Sequence, residues 1–454
     1  MFVYIAPRGG WFEFAPEIGF MANMIEAEIV PELALRCSTW ELFLGMPIHQ
    51  VIEIFKRLEG IISNVDVWYS EKSPFDSDIL LHLTNDGLKL HFDPRWQRLK
   101  LIEITDLSKI SLRYLSQHVN TSAQAPTLAT IINVFGSTKQ FLPDEEPGYF
   151  RLCYRGLTFL AASAHEVDAI GAAGFEGDTS APPSTIGSAT LTDPGTMTSE
   201  AGEEQLVVRR IFIFPGQNVE EAKLPPQLPA SCYHGNIFLE RLLVVHANGR
   251  TVKLCFDLVC QDLSTSPPAE PGLRRFSSCV AFGDSTEDVL SALGSPSRVY
   301  YKTEDKMMIH LPQSYRKMRQ QRCDYFYNYF TLGVDVLFDA RTHRVITFVL
   351  HTNQPGEYAF NIYYRCMFEI PLSITSDDGE VKSLVIDPFV KIQSLLEGVI
   401  NEQPVVIHQE TATRRNPFGV TNAYNYRDLI FEVLPQNGYL ASVTIYSLPE
   451  EATS

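Results

Sequence analysis

The 454-residue chain is 45% hydrophobic and 11% aromatic, so it can bury a sizeable core and is long enough for two or more packed lobes. Its formal net charge of −17 at pH 7 argues against a general nucleic-acid binder, because phosphate backbones would repel the chain as a whole. Its eight cysteines form no CxxC pair, which argues against a zinc ribbon, a redox dithiol and a disulfide framework and favours reduced thiols.

Residues 1–28 are predicted to be an N-terminal extension. The stretch is apolar, but Glu13, Glu17 and Glu26 interrupt it and no basic region leads into a hydrophobic run, so it does not resemble a signal peptide. No stretch of about 18 uncharged apolar residues occurs in the chain, so no membrane-spanning helix is expected.

The first predicted structural unit is a helix followed by strands. Pro47 at the first turn and Gly60 beyond the end are typical helix boundaries around an amphipathic pattern. Strand patterns follow at 65–69, at 79–92 around the tight turn Asn85-Asp86-Gly87, and at 99–104. The segment therefore reads as one helix-then-three-strand unit.

A weaker copy of this unit comes next. Its helix is predicted at 127–135, the signature Tyr154-Arg155-Gly156 follows, and its last strand is predicted at 207–214. Between 164 and 204 the composition shifts to Ser, Thr, Gly, Pro and Ala with almost no large apolar residues. That composition predicts a disordered insertion before the last strand.

The first half is predicted to end with a hairpin and a linker. Residues 242–258 are apolar-rich around Asn248-Gly249, a strong signal for a two-residue hairpin turn. The proline- and serine-rich segment 263–272 is typical of a linker. These features place the first half at 29–262.

The same order of elements returns after the linker. Ser285 and Asp288 resemble a capping box before a helix that ends at Gly294. Strand patterns follow, at 298–301, 325–338 and 345–350. A last, weaker copy has a helix predicted at 388–397 with Asp387 as its cap, the signature Tyr426-Arg427-Asp428, and a final strand predicted at 441–446.

Aligning the two strong copies places Gly87 opposite Gly333, Phe92 opposite Phe338, and 99–104 opposite 345–350. We therefore predict an α+β fold of repeated helix-then-three-strand units with mostly antiparallel sheets. Two strong and two weak copies form a duplicated pair. The second half spans 273–449, and 450–454 form a tail.

Residues with catalytic potential form no recognisable constellation. The chain has no phosphate-binding loop, no HExxH pair and no GxSxG elbow. His91 and His351 are interpreted as structural or surface residues, because metal sites need several convergent ligands. Asp335 and Asp339 are interpreted as part of a solvated strand face rather than a general acid-base pair. We predict no catalytic residue, no cofactor, no metal site and no enzyme activity.

One basic segment stands out in this acidic chain. Arg316, Lys317, Arg319 and Arg322 lie within eight residues and could contact an acidic partner or an anionic lipid head group. A solvated loop between strands explains the same charges, and both interpretations stay open. The aromatic series 325–330 is interpreted as core and cross-strand packing.

Several longer runs of residues carry a resemblance to a known family. These runs are Leu44-Gly45-Met46-Pro47, Phe282-Gly283-Asp284-Ser285, Leu293-Gly294-Ser295-Pro296, Asn328-Tyr329-Phe330-Thr331-Leu332-Gly333-Val334-Asp335, Phe348-Val349-Leu350-His351 and Asn416-Pro417-Phe418-Gly419. Together they resemble the phagosome assembly factor family over about residues 26–446. The extension and the insertion at 164–204 depart from the family pattern.

This resemblance implies a cytoplasmic regulator of autophagy without enzyme activity. It implies an adaptor that joins a WD-repeat propeller partner, is recruited with it to the preautophagosomal structure, and contacts the phagophore membrane through that partner. Vesicle trafficking with Golgi or vesicle association belongs to the same expectation, and no nucleic acid is expected. The alternative from a different class is direct phosphoinositide binding through Arg316, Lys317, Arg319 and Arg322. The sequence predicts no oligomeric state.

Overall fold

The computed structural model describes residues 3–7, 25–58, 62, 64–120, 125–138, 141–144, 148–163, 190–193, 196–199, 202–262, 272–302, 323–357, 360–375, 381–393, 404–408 and 420–447. The chain divides into two compact units. The first comprises Met1–Ser70 and Asp76–Pro229, and the second comprises Glu71–Phe75 and Ala230–Ser454. None of the described helices is long and apolar enough to cross a membrane.

The first unit contains a large sheet, a small sheet and two helices. Its helices are α1 (Ile48–Arg57) and α2 (Leu128–Phe135). Its strands, in chain order, are β1 (Val3–Pro7), β2 (Ile25–Val30), β3 (Ala34–Cys37), β4 (Glu41–Phe43), β5 (Val65–Tyr69), β6 (Ile79–Leu83), β7 (Leu88–Phe92), β8 (Leu99–Ile104), β9 (Ile110–Tyr114), β10 (Gln117–His118), β11 (Phe141–Pro143), β12 (Tyr149–Tyr154), β13 (Leu157–Ser163), β14 (Thr190–Asp193), β15 (Thr196–Ser199) and β16 (Gly202–Ile213).

The large sheet of this unit has the order β1-β5-β6-β7-β8-β16-β13-β12-β11, and the small sheet has the order β10-β9-β2-β3-β4. Pairing is antiparallel except between β1 and β5 and between β2 and β9. Strands β14, β15 and the beginning of β16 lie in the stretch 164–204, where the sequence predicts disorder, and they pair with one another. The other residues of that stretch lie outside the described residues.

The second unit also contains a large and a small sheet. Its elements include the 3-10 turn Ala230–Cys232 and the helix α3 (Thr286–Leu293). Its strands are β17 (Phe238–Ala247), β18 (Arg250–Gln261), β19 (Leu273–Ala281), β20 (Arg298–Tyr301), β21 (Tyr325–Tyr329), β22 (Val334–Phe338), β23 (Val345–His351), β24 (Phe368–Thr375), β25 (Val381–Ile386), β26 (Val405–His408), β27 (Val420–Tyr426), β28 (Leu429–Val433) and β29 (Leu440–Tyr446). The sheet orders are β20-β21-β22-β23-β29-β28-β27-β26 and β25-β24-β17-β18-β19.

The two units repeat one topology. In each large sheet two four-strand blocks meet at their last strands, β8 with β16 and β23 with β29. In each small sheet the one parallel pair joins equivalent strands, β2 with β9 and β17 with β24. The predicted α+β fold, with a duplicated pair of mostly antiparallel units, is therefore confirmed. The two strong copies have four strands rather than three, because the predicted segments 79–92 and 325–338 are hairpins, of β6 with β7 and of β21 with β22.

A recurring bridge marks the start of each of the four blocks. In every case a residue at the beginning of the helical segment pairs with a residue of the block's last strand or with the residue directly before that strand. The four bridges are Pro47 with Arg98, Thr127 with Val207, Ser285 with Arg344, and Lys391 with Tyr439. The weak copies therefore share the geometry of the strong ones.

Helix starts follow local capping chemistry. The Ser285 side chain accepts from Asp288 N, and the Asp288 carboxylate accepts from Ser285 N at 2.9 Å, so the capping box before α3 is present. The helix predicted at 388–397 starts later than expected. Asp387 Oδ1 accepts from Phe389 N at 2.8 Å and closes a turn, Gln393 is helical, and 394–397 lie outside the described residues.

The boundary between the two units differs from the predicted linker at 263–272. The division falls after Pro229, because the predicted hairpin at 242–258, strands β17 and β18, pairs with strands that follow it. Strand β18 pairs with β19 along its length, and β17 pairs with β24. Composition indicated a break at the proline-rich segment, but sheet partners decide which unit the hairpin joins.

One pair of cysteines departs from the expectation of reduced thiols. Cys255 and Cys279 are directly opposite in β18 and β19, with 4.1 Å between their Cα atoms, and they form a disulfide. No motif marks them in the sequence, since only the register of the two strands brings them together. Cys232 and Cys366 are buried and are not part of a disulfide.

Candidate interaction surface

The predicted basic residues Arg316, Lys317, Arg319 and Arg322 lie outside the described residues. The ends of the segment that carries them are described. Tyr301 pairs with Tyr325, and Lys302 N donates to Asp324 O at 2.9 Å. The segment thus leaves and re-enters the fold at one end of the β20–β21 hairpin, and its role in binding stays a prediction.

Strand β20, next to this segment, is an exposed edge of the large sheet. It pairs with β21 on one side and, among the described strands, with none on the other. All four of its residues are exposed, including Val299 (43%), Tyr300 (44%) and Tyr301 (62%). Apolar and aromatic side chains on an unpaired edge are a typical feature of a protein interaction surface.

Cations flank the aromatic side chains of this edge. The guanidinium carbon of Arg298 lies 5.7 Å from the centre of the Tyr300 ring, and Lys302 Nζ lies 5.7 Å from the centre of the Phe326 ring. Arg298 on β20 and Lys302 directly after it therefore place two positive charges at this edge, in a chain of net charge −17. It suits a partner segment that is apolar with acidic neighbours.

The backbone direction of β20 follows from its pairing with β21. Lys302 N bonds to Asp324 O, and hydrogen-bonding residues alternate along an antiparallel strand. Tyr300 and Lys302 therefore direct their N–H and C=O groups towards β21. Val299 and Tyr301 direct theirs to the open side, where another strand could pair with them.

The opposite end of the same sheet is a second open edge. Strand β26 pairs with β27 and has no other partner among the described strands. Val405 (67%) and Val406 (51%) are exposed on it. The sequence predicts a strand at β20 but none at β26, and it identifies neither position as an edge, because the order of strands in a sheet is not a local property.

A buried polar cluster lies on the large sheet of the second unit. Asp335 accepts hydrogen bonds from Asn328 Nδ2 at 2.7 Å and from the Tyr363 hydroxyl at 2.8 Å. Its other oxygen is 2.9 Å from His351 Nε2, and the His351 ring stacks on the Tyr363 ring with 3.8 Å between centres. Burial and the neighbouring Asp335 raise the pKa of Tyr363.

This cluster corrects the interpretation of Asp335 as a solvated residue. Asp335 is buried because Tyr363, which is distant in sequence, covers it. Asp339 instead caps a turn, and hydrogen bonds from the Thr342 and Arg341 N–H groups lower its pKa. Both Asp335 oxygens are occupied by internal donors, so the arrangement favours a structural role over an acid-base pair.

A buried glutamate is predicted to make the stability of the second unit depend on pH. Burial raises the pKa of Glu357 from 4.5 to about 7. Because the folded state binds this proton more tightly than the unfolded state, stability falls as the pH rises from about 4.5 to about 7 and stays low above that range.

Glu357→Gln is therefore expected to be more stable than the wild type at pH 8 by about 2 kcal/mol, and less stable at pH 4 by about 1 kcal/mol. Each pKa unit is worth about 1.4 kcal/mol, so the raised pKa of Glu357 is worth about 3 kcal/mol between the two pH values. The cost of burying the uncharged amide lowers the stability of the variant at both pH values. Urea unfolding at the two pH values measures the difference. The matched control is Glu53→Gln on the helix α1, and a pH-independent difference for Glu357→Gln would contradict the prediction.

A cavity of about 250 Å³ lies in the second unit. It is lined by His246, Gly249, Pro371, Leu372, Arg427, Asp428 and Leu429. Burial lowers the pKa of His246, and both of its ring nitrogens are buried without a hydrogen-bond partner. Asp428 Oδ2 accepts from Thr251 N at 2.6 Å. The Asp428 carboxylate is thus held by the backbone of the neighbouring strand.

Metal ligands do not converge in the described parts of the chain. No group of three or more His, Cys, Asp or Glu side chains there could hold a metal ion. His91 is 3.1 Å from Glu103 Oε2, and the pKa of Glu103 is lowered by the hydrogen bond from His91 and by nearby cations against the effect of burial. This group is an ion-pair network on the sheet of the first unit.

Comparisons with known proteins cover both units. The profile of a family described as phagosome assembly factor 1 (PHAF1) matches residues 38–446. A PHAF1 protein of Drosophila melanogaster is 38% identical over 441 residues, which are 93% of this chain and 94% of the relative. A PHAF1 protein of Caenorhabditis elegans is 30% identical over 433 residues, which are 93% of this chain and 94% of the relative. A PHAF1 protein of Arabidopsis thaliana is 28% identical over 405 residues, with 89% of each chain covered.

Proposed function

Because the chain belongs to the phagosome assembly factor 1 family, we propose that it regulates autophagy as a non-enzymatic adaptor. It forms a complex with a WD-repeat propeller protein in the cytoplasm, and the complex is recruited to the preautophagosomal structure. Contact with the phagophore membrane is made through that partner. The family assignment supports the role in phagosome assembly, and the propeller partner comes from the resemblance alone.

The observation that carries the adaptor role is the pair of open edges on the large sheet of the second unit. Exposed Val299, Tyr300 and Tyr301 lie at one edge, and exposed Val405 and Val406 lie at the other. A protein that works by joining others needs surfaces whose apolar groups and free backbone groups gain a partner on binding. These two edges supply such surfaces.

Co-purification tests the proposal. The full chain and the WD-repeat protein, expressed together, are expected to elute as one complex of fixed stoichiometry on size exclusion. A WD-repeat propeller of similar size from an unrelated pathway is the control and is expected to elute separately. If the two purified proteins stay apart at micromolar concentration, the adaptor proposal is wrong.

Direct phosphoinositide binding is a second candidate function. Exposed Tyr300 with Arg298 and Lys302 lies beside the ends of the segment that carries Arg316, Lys317, Arg319 and Arg322. Aromatic and basic residues together are typical of surfaces that contact anionic membranes.

Liposome flotation separates the two candidates. Reversing Arg316, Lys317, Arg319 and Arg322 to glutamate is expected to abolish flotation with phosphoinositide vesicles if the segment binds lipid. The control reverses the exposed Arg250 and Arg274 of the same unit to glutamate, which changes the charge by the same amount per residue as in the basic segment. Equal flotation of all proteins would eliminate the basic segment as a lipid site.

A further inference from the structure

The duplicated topology supplies an internal comparison for the open edge β20. In the first unit the equivalent strand is β5. Asp66 of β5 pairs with His82, as Arg298 of β20 pairs with Asn328, and the alignment of Gly87 with Gly333 makes His82 and Asn328 equivalent. Val67 therefore corresponds to Val299, and Tyr69 corresponds to Tyr301.

The equivalent edge in the first unit is covered by another strand. Strand β1 pairs with β5 in parallel, with Ile5 opposite Val67 and Pro7 opposite Tyr69. Val67 is fully buried and Tyr69 is 3% exposed. Their counterparts Val299 and Tyr301 are 43% and 62% exposed. The same sheet position is thus filled in one unit and, among the described strands, unfilled in the other.

We propose that β20 is completed by a β-strand from a bound partner protein, added in parallel at the position that β1 occupies on β5. This inference rests on the adaptor function and specifies its contact surface. Val299 and Tyr301 supply the N–H and C=O groups for the new ladder, because their backbone groups face the open side.

The chemistry of the incoming segment follows from the residues of β20. Exposed Val299, Tyr300 and Tyr301 favour β-branched and aromatic residues in the added strand. Arg298 on β20 and Lys302 directly after it carry two positive charges, which favour acidic residues beside the apolar ones in the added strand. The same cations discourage pairing with the β20 edge of a second copy of this chain, because like charges would meet.

A proline substitution tests strand addition. Val299→Pro removes an N–H that points to the open side, and proline is tolerated on an edge strand, so the pairing of β20 with β21 is kept. It is expected to weaken binding of the full chain to the WD-repeat protein at least tenfold, with the melting temperature of the chain nearly unchanged. Val299→Ala keeps the N–H and is expected to bind within about threefold of the wild type.

The possible results distinguish a failure of the adaptor function from a failure of strand addition at β20. If the wild type does not bind, the adaptor function itself is wrong. Strand addition at β20 is wrong if the wild type binds and Val299→Pro binds equally well. It is also wrong if Val405→Asp on β26 abolishes binding while Val299→Pro does not. Equal losses for Val299→Pro and Val299→Ala would show side-chain docking instead and would also overturn it.

Hydrogen exchange provides a readout independent of affinity. In the complex, the amides of Val299 and Tyr301 are expected to exchange at least tenfold more slowly than in the free chain, as in a paired strand. Unchanged exchange at both amides in a complex that does form would overturn the inference, as would a homodimer of this chain that Val299→Pro dissociates.

Discussion

Gly333→Ala is expected to lower the free energy of unfolding of the second unit by about 4 kcal/mol. Gly333 has φ +69°, in the left-handed region, where a side chain costs about 1 to 2 kcal/mol. A Cβ atom there would also lie 2.7 Å from Cys366 N and against the carbonyl oxygen of Tyr364. These are backbone atoms that cannot move aside, so overpacking adds about 1 to 3 kcal/mol.

Gly283→Ala is the matched control for this prediction. Gly283 has φ +85°, but a Cβ atom there would meet nothing within 4 Å. It carries the conformational cost without the clash, so a loss of about 1 kcal/mol is expected. Urea unfolding of both variants measures the difference, and equal losses would contradict the role of the backbone contact. Gly87→Ala in the first unit meets the backbone of Asp106 and is expected to match Gly333→Ala.

Asp335→Ala is expected to destabilise the second unit by about 3 to 5 kcal/mol. The substitution leaves Asn328, Tyr363 and His351 without their common acceptor in a buried site. Each buried donor without a partner costs about 1 to 3 kcal/mol. Bulk solvent does not replace the lost hydrogen bonds, because Asp335 and Tyr363 are each only 7% exposed.

Asp339→Ala, in the same sheet, is the control for this prediction. Asp339 caps a turn through the N–H groups of Arg341 and Thr342 and remains partly accessible to water. A loss of about 1 kcal/mol is expected, as for other lost caps. Thermal and urea unfolding of the two alanine variants should rank Asp335 well above Asp339. The reverse order would show that the buried cluster contributes little.

Local chemistry explains which parts of the fold could be predicted from sequence. The capping box at Ser285 and the turns with left-handed glycines at Gly87 and Gly333 are formed by residues close together in sequence, so their repetition reveals the duplicated unit. Which strands meet across the sheet depends on residues far apart. The hairpin at Asn248-Gly249 is therefore recognised as a hairpin, but its pairing with β19 and β24 is not.

The same reasoning applies to the candidate sites. Asp335 has the alternation of a solvated strand position, and only the fold brings Tyr363 over it. Strand β20 is recognisable from its composition, but its exposure follows from being the last strand of a sheet. The basic residues Arg316 to Arg322 are obvious in the sequence, yet their role depends on a partner or membrane that no local pattern specifies.

The meeting of β23 and β29 at the centre of the large sheet affects how the second unit can be made. Leu350 pairs with Val443, so this sheet can close only after the ribosome has delivered a segment synthesised more than ninety residues later. Until then β23 and β28 each have an unpaired edge inside the future core. A nascent chain of this protein therefore exposes these edges to aggregation until Leu440–Tyr446 has been synthesised, and a truncation before Leu440 removes the middle of the sheet rather than its margin.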